Sequence, residues 1–376
     1  KFCEEYGISI DLDAYPWQLS ASEKQKVEII KLLCSNARIL ILDEPTSVLP
    51  PPEIEKLFHV LIKLKKKGYS IVFISHKIKE VLSICDRITV LRKGRVIKTV
   101  KRSETNAKEL VRLMIGSDVK APKARRTKAS EEKVLEVKNI FVEDEKGVLK
   151  VRGVSFFVKR GEIFGITGVA GNGQRELGEA IVGLRKIVKG LIRLFGNDVT
   201  KLNVRERAIA HLPEDKEAGY VASLSVVENL LLRRYNESPF SNGVFANFDA
   251  WDNYARELVK EYKIKVANPR LPASYLSGGN LQRLIIARQL AWNRDFIVAF
   301  NPTQGLDVKM SSEIRRLLLK LKGNGKSILL ISGDLEEVLE LCDRIGVMFK
   351  GKLIATLNRR AASPRRIGEL MVGART

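Results

Sequence analysis

The chain has 376 residues, of which 45% are hydrophobic, and this length favours two or three domains with ordinary buried cores. No apolar run approaches the roughly 18–20 residues of a membrane-spanning helix, and four cysteines without a close CxxC pair exclude a disulfide framework or a zinc site. The net charge of +22 is compatible with a nucleic-acid or membrane-surface partner, but the basic residues are spread along the chain without interleaved aromatics, so we interpret them as solvated surface.

Alternating strands and helices are predicted in the first part of the chain. Residues 38–42 form a short apolar run typical of a buried parallel strand, and 69–74 form another. Between them, apolar residues recur at helical spacing from Ile54 to Leu64, and Gly68 ends the helix. Strands that alternate with helices indicate a parallel sheet with crossover connections, and therefore an α/β fold.

The segment 117–133 contains almost no large apolar residues and is predicted to be a linker. Beyond it, a strand-rich stretch is expected over 134–167, followed by helical material at about 226–290.

The chain repeats itself at a constant offset of 257 residues. Positions 74–97 and 331–354 are identical at 13 of 24 places, including the Cys-Asp-Arg-Ile run at 85–88 and 342–345. A constant offset predicts two copies of one domain, which we place at 1–116 and 134–376. A glycine-rich loop begins at Gly168 of the second copy. Its first-copy counterpart would precede residue 1, so we expect the first copy to be incomplete.

The glycine-rich loop predicts a phosphate site. It follows an apolar strand over 163–167 and opens a helix at about 173–183, as in a P-loop, whose backbone N–H groups surround phosphates. The P-loop pattern ends in Lys and Ser/Thr, whereas this loop has Gln174 and Arg175. The loop alone is equally compatible with a structural strand–helix turn.

Four aliphatic residues followed by Asp43-Glu44-Pro45-Thr46 fit a Walker B motif. In such a motif Asp43 would hold Mg²⁺ and Glu44 would polarise the attacking water. His76 follows the next predicted strand, where it could reach a γ-phosphate.

The segment Leu276-Ser-Gly-Gly-Asn-Leu-Gln-Arg283 resembles the signature of ABC transporter nucleotide-binding domains. With the other motifs, this resemblance covers the whole chain except the linker. It implies a P-loop NTPase (RecA-like) ABC nucleotide-binding domain repeated twice, each with a helical subdomain, the first copy being incomplete. It also implies that two domains pair head to tail around two ATP molecules, and that each ATP meets the Walker motifs of one domain and the signature of the other.

In one of these sites the resemblance implies that every motif residue falling within this chain is retained, while the phosphate loop of that site would precede residue 1. The expected residues are Asp43 for the metal, Glu44 and His76 for catalysis, and Ser277, Gly278, Gly279, Gln282 and Asp307 for contact with ATP.

In the other site the losses accumulate. The second-copy Walker B acids have become Phe300 and Asn301, Gly333 replaces the histidine, and the facing signature is degraded at 19–23. The residues expected to bind nucleotide there without turnover are Gly168, Gly171, Gly173, Gln174 and Arg175.

Two ABC domains in one chain with a degenerate second Walker A resemble importers of simple sugars and nucleosides, and the 211–230 region resembles the nucleoside branch. The resemblance implies ATP and Mg²⁺ as cofactors, two transmembrane permease subunits and an extracellular solute-binding protein as partners, and a peripheral place on the cytoplasmic face of the cell membrane.

Two alternatives remain open. A ribosome- or nucleic-acid-associated twin-ABC protein would share the tandem arrangement and the basic charge, although such proteins are expected to keep both sites intact and to have a longer helical linker. A catalytically inert fragment is the other alternative.

Overall fold

The computed structural model describes residues 15, 21–34, 37–46, 49, 51–75, 77–92, 94–115, 130–215, 217–304, 306 and 308–373. Among these residues no helix is both long and apolar enough to cross a membrane. Most of the predicted linker, 117–129, lies outside the described residues, and Lys133 at its end already belongs to a strand. The proposed domain boundaries therefore stay a prediction.

The second copy is built on a mostly parallel sheet that has six strands in the described part of the chain, in the order β10-β11-β12-β7-β13-β14. β7, β11 and β12 are buried along their whole length, as expected for parallel strands covered by helices on both faces. The strands are β7 (Ile163–Thr167), β10 (Ala210–Leu212), β11 (Phe296–Phe300), β12 (Ser327–Ile331), β13 (Arg344–Phe349) and β14 (Lys352–Asn358).

An antiparallel sheet in the order β6-β5-β8-β9 packs beside this core. Its apolar residues join the same buried cluster as those of β7, β11 and β12. The strands are β5 (Lys133–Glu143), β6 (Leu149–Lys159), β8 (Lys189–Leu194) and β9 (Asn197–Asp198). The two sheets together hold the loop that follows β7.

The helices of the second copy divide into two groups. One group belongs to the parallel sheet: α5 (Gln174–Val182), α9 (Val308–Gly323), α10 (Leu335–Leu341) and α11 (Pro364–Met371). The other has its own apolar cluster and forms a helical subdomain: α6 (Val226–Leu231), α7 (Phe248–Glu261) and α8 (Gly278–Ala291). Ser225 starts α6 with a capping box, in which its hydroxyl accepts from Glu228 N and its own N–H donates to Glu228.

The first copy repeats the later elements of the second. It contains α1 (Ala21–Cys34), β1 (Ile39–Asp43), α2 (Pro51–Lys66), β2 (Ser70–Ile74), α3 (Ile78–Ile84), β3 (Arg87–Arg92), β4 (Arg95–Lys101) and α4 (Ala107–Ile115). Each begins 257 residues before its counterpart, and the β-bulge after Val90 recurs after Val347. The repeat read from the sequence is thus a repeat of structure.

The two copies contact each other reciprocally. α2 packs against α11, and α4 packs against α9. In the repeat, α9 is the counterpart of α2, and α11 is the counterpart of α4. Exchanging the two copies therefore converts the α2–α11 contact into the α9–α4 contact. Such an isologous contact is the mark of a two-fold axis, here an approximate one within a single chain.

The prediction that the strands over 38–42 and 69–74, β1 and β2, are buried is wrong for one face of the sheet that they form. Ile39 and Ile41 on β1 are 66% and 63% exposed, whereas their counterparts Phe296 and Val298 are 1% and 0% exposed. In the second copy these side chains lie in the cluster that contains α5 and the antiparallel sheet. Among the described first-copy residues no counterpart of those elements is present, and β1-β2 and β3-β4 form separate two-stranded sheets.

The equivalent thiols Cys85 and Cys342 are free, and Cys342 is fully buried. Burial raises the pKa of both thiols, which lowers the fraction of the nucleophilic thiolate at neutral pH.

Candidate functional site

The predicted Walker B acids lie at the carboxyl end of β1. Asp43 is its last residue and is exposed, while Glu44 is half-buried with a left-handed φ of +45°. Glu44 N donates to the carbonyl oxygen of Ile74 at the end of β2 over 3.0 Å. The parallel register of β1 and β2 therefore brings the acids beside the segment that leads to His76, which itself lies outside the described residues.

A hydrogen bond ties the end of this acidic segment to α3. Thr46 Oγ1 donates to Glu80 Oε2 over 2.6 Å, and the second copy repeats the bond between Thr303 and Glu337 at 2.8 Å. Glu337 is fully buried, and desolvation raises its pKa. In the first copy this hydrogen bond fixes the turn that contains Asp43 and Glu44. In the second copy the equivalent bond fixes the turn that contains Phe300 and Asn301.

The carboxyl end of β1 in the first copy is suited to a magnesium ion. Mg²⁺ prefers oxygen ligands and is commonly held by one or two protein carboxylates together with the phosphates of a substrate. Asp43 offers an exposed carboxylate at the correct end of a parallel strand. No group of three acidic, histidine or cysteine ligands occurs among the described residues, so nucleotide and water would have to complete the coordination, as is usual for this ion.

The glycine-rich loop of the second copy joins β7 to α5 in a strand–loop–helix arrangement. Gly171 and Gly173 have φ of +87° and +94°, which L side chains rarely adopt. A Cβ at Gly173 would overlap the carbonyl oxygen of Lys150, and one at Gly168 would lie 2.6 Å from that of Met348. The glycines are thus required by both conformation and close packing.

Hydrogen bonds hold this loop in place. The carbonyl oxygen of Val169 accepts from Gln174 Nε2 and from Asn172 Nδ2, both at 3.0 Å. Asn172 Oδ1 in turn accepts from Lys350 N over 2.6 Å. The Gln174 side chain therefore lies back over the loop, while Arg175 is exposed and pairs with Glu179 at 2.8 Å.

Phe300 occupies the position that Asp43 has in the first copy, and it is part of the core. It is 3% exposed, its ring lies 5.3 Å from that of His211 in a T-shaped arrangement, and a Cβ on Gly178 would overlap it. An aromatic ring packed under α5 thus stands where the first copy has the exposed carboxylate of Asp43.

Asn301 occupies the position of Glu44 and shares its left-handed conformation, with φ of +37°. Its Nδ2 donates to Glu214 Oε1 over 2.8 Å, and its Oδ1 accepts from Gly333 N over 3.0 Å. Glu214, Asn301 and Gly333, hereafter the clasp, connect three loops at the end of the sheet. The sequence identified the replacements at Asn301 and Gly333 but did not predict that these residues and Glu214 bind one another.

The signature segment begins α8, and Ser277 is its exposed N-cap residue. Ser277 Oγ accepts from Asn280 Nδ2 over 2.9 Å rather than capping the backbone, and a Cβ at Gly278 would meet open space. The N-terminus of α8 is therefore accessible, and its backbone N–H groups and dipole favour a phosphate.

Gln282 differs from the expectation that it contacts ATP. It is 3% exposed, and its Nε2 donates to the carbonyl oxygen of Pro302 over 3.3 Å. It therefore connects α8 to the segment after β11 instead of facing a ligand. Asp307 lies outside the described residues.

The chain matches a known family and several curated proteins. A family model for ABC transporters matches residues 3–47 and 151–304. The nucleoside import ATP-binding protein NupA of Lactococcus lactis subsp. cremoris is 39% identical over 99% of this chain and 74% of that protein. The guanosine import ATP-binding protein NupO of Bacillus subtilis is 41% identical, again over 99% and 74%. The ribose import ATP-binding protein RbsA of B. subtilis is 35% identical over 99% and 75%.

Solved structures agree with the fold. A nucleotide-free ATP-binding cassette from an ABC transporter has a TM-score of 0.54 and 25% identity, covering 64% of this chain and 99% of that one. A cassette in a post-hydrolysis state with ADP and Pi has a TM-score of 0.52 and 24% identity, covering 61% and 100%. The expected family and fold class are confirmed, and the chain belongs to the ABC transporter family, with the P-loop NTPase fold of its ATP-binding cassettes.

Proposed function

We propose that the chain is the ATP-hydrolysing subunit of an ABC importer for nucleosides or simple sugars, with one competent and one degenerate ATP site. The observation that carries this proposal is that two equivalent strands, β1 and β11, end in side chains of different chemistry. β1 ends in exposed Asp43 followed by Glu44, whereas β11 ends in buried Phe300 followed by Asn301. The names of the relatives, which include nucleoside, guanosine and ribose import proteins, support the substrate class.

In the competent site Asp43 would hold Mg²⁺, which neutralises charge on the phosphates. Glu44 would orient and polarise the attacking water, and His76 would contact the γ-phosphate. Ser277, Gly278 and Gly279 of the second copy would bind that phosphate from the opposite side, together with Asp307. Gln282 would position the segment after β11. The approximate two-fold contact between the copies supports such an exchange of elements between them.

Binding of ATP would close the two copies, and hydrolysis would reopen them. Because interactions across the nucleotide exist only in the closed state, ATP shifts the population towards closure. The motion would be passed to two transmembrane permease subunits that receive solute from an extracellular binding protein. The chain would then lie peripherally on the cytoplasmic face of the membrane.

The test compares two equivalent positions, Glu44 and Asn301, in a form of the protein that contains a phosphate loop for each copy. Glu44→Gln should lower ATP hydrolysis by about 100-fold or more while ATP binding is retained, since it removes the group that activates water. Asn301→Gln is the matched control and should leave hydrolysis within about threefold of the wild type. Hydrolysis that persists in Glu44→Gln would refute the assignment.

A further inference from the structure

The family implies Mg²⁺ at both nucleotide sites, but the residues of the second copy do not fit it. We propose that the loop over 168–175 binds the polyphosphate of a nucleotide without a divalent cation, and that the guanidinium of Arg175 supplies the positive charge in its place. This inference rests on the proposed function, namely that a nucleotide occupies this loop.

The protein ligands that Mg²⁺ would need are replaced. The position of the Walker B carboxylate holds the ring of Phe300, which is packed against α5 and His211. The position of the P-loop hydroxyl holds Arg175, a cation that offers donors only. Asn301 still has an amide oxygen, but that oxygen accepts from Gly333 N. Oxygen ligands of the kind that Mg²⁺ selects are therefore replaced by a ring, a cation and an engaged amide.

Glu214 is a carboxylate beside Asn301 that has the chemistry of a metal ligand. Its Oε1 accepts from the side chain of Asn301 over 2.8 Å. Arg175 lies close enough to Glu214 for that carboxylate to contribute to raising the Arg175 pKa, behind the hydrogen bond and charge of Glu179. Glu214 thus already accepts from an amide donor, and a metal would have to compete with that hydrogen bond.

The loop presents donors to an anion. Gln174 uses one N–H on Val169 O, and its amide group carries a second. Arg175 is 66% exposed and uses its Nε on Glu179, which leaves the two Nη groups of the guanidinium fork. Glu179 also pairs with Arg185 at 2.7 Å, so that one carboxylate is shared between two guanidiniums. Bidentate guanidinium–phosphate bonds are among the strongest hydrogen bonds in proteins.

The test measures ATP binding to the chain by equilibrium dialysis, in excess EDTA and in excess MgCl₂. The sequence of Lys1–Thr376 contains one glycine-rich phosphate loop, and hydrogen exchange of the peptide spanning 168–175 locates the bound ATP. We expect similar dissociation constants in the two buffers, within about threefold, and slower exchange of this peptide in both. Arg175→Ala should weaken binding in EDTA by about tenfold or more, as for a lost charge-assisted bond.

Arg193→Ala is the matched control, since it removes an exposed arginine from β8, and it should leave binding unchanged. Arg175→Ser restores the hydroxyl of the usual pattern and should weaken binding in EDTA like Arg175→Ala. ATP bound at this loop in MgCl₂ but not in EDTA would overturn metal independence and leave the nucleotide site standing. Loss of that binding in Glu214→Gln would then identify Glu214 as the metal ligand. If the loop peptide is unprotected in both buffers, nucleotide binding at the second copy is itself wrong.

Discussion

Lys79 and Glu336 occupy the same position in the two copies, 257 residues apart, and their side chains meet at 2.7 Å. A residue that contacts its own counterpart lies on or near the axis that relates the two copies. The pair therefore marks the approximate axis that also relates the α2–α11 contact to the α4–α9 contact. Two identical first copies placed in this way would bring two lysines together, so the opposite charges favour the pairing of unlike copies.

Exchanging these charges should reveal their coupling. Lys79→Glu and Glu336→Lys should each lower the free energy of unfolding, and the double exchange should restore part of the loss. Both side chains are largely exposed, at 81% and 61%, so the coupling should be at most about 1 kcal/mol and should decrease with added salt. A double-mutant cycle from denaturant unfolding measures it. If the double exchange is no more stable than the sum of the single changes predicts, the two charges do not interact.

The clasp should hold the loops of the degenerate site in place. Asn301→Ala removes its bonds to Glu214 and Gly333 and also places Ala in a left-handed conformation, so the free energy of unfolding should fall by about 2–4 kcal/mol. Asn301→Gly removes the same bonds without the conformational cost and should lose about 1–3 kcal/mol. Hydrogen exchange at the Gly333 amide should accelerate in both variants. An unchanged rate at Gly333 would show that the clasp does not form in solution.

His211 should make folding sensitive to acid. Burial, together with the charges of Arg233 and Arg288, lowers its pKa from 6.5 to about 4, against an opposing effect of Glu179. The unfolded chain therefore binds more protons than the folded chain between those values, and stability is lost as the pH falls through this window. The full difference corresponds to about 3 kcal/mol.

The measurement is denaturant unfolding of the wild type and His211→Gln at pH 7.5 and pH 4. The wild type should lose about 3 kcal/mol more than the variant over this range, because all other titrating groups are common to both proteins. Equal losses in the two proteins would mean that His211 titrates alike in the folded and unfolded chain.

Much of the fold could be predicted because the sequence contains it twice. The strand over 163–167, the helix of the glycine-rich loop and the offset of 257 residues are all found as predicted. The exposure of Ile39 and Ile41 could not be predicted, because an apolar run indicates a strand but does not show which elements cover its faces. Their counterparts Phe296 and Val298 are buried by elements far away in sequence.

The candidate site shows the same limit. Asp43, Glu44 and the loop from Gly168 could be identified because each belongs to a short motif whose residues are close together in the sequence. The clasp and the burial of Gln282 depend on contacts over 87 and 20 residues of sequence separation, respectively. Spacing within a motif carries no information about such contacts.

Of the two proposed ATP sites, we expect one to hydrolyse ATP and the other to leave it intact. The most direct measurement is a single-turnover experiment with radiolabelled ATP, on protein that carries both phosphate loops, followed by acid quenching and quantification of ATP and ADP on each chain. We expect two nucleotides to be bound per chain, one of them to be converted to ADP and the other to remain ATP. Conversion of both nucleotides, or conversion that persists in Glu44→Gln, would contradict it.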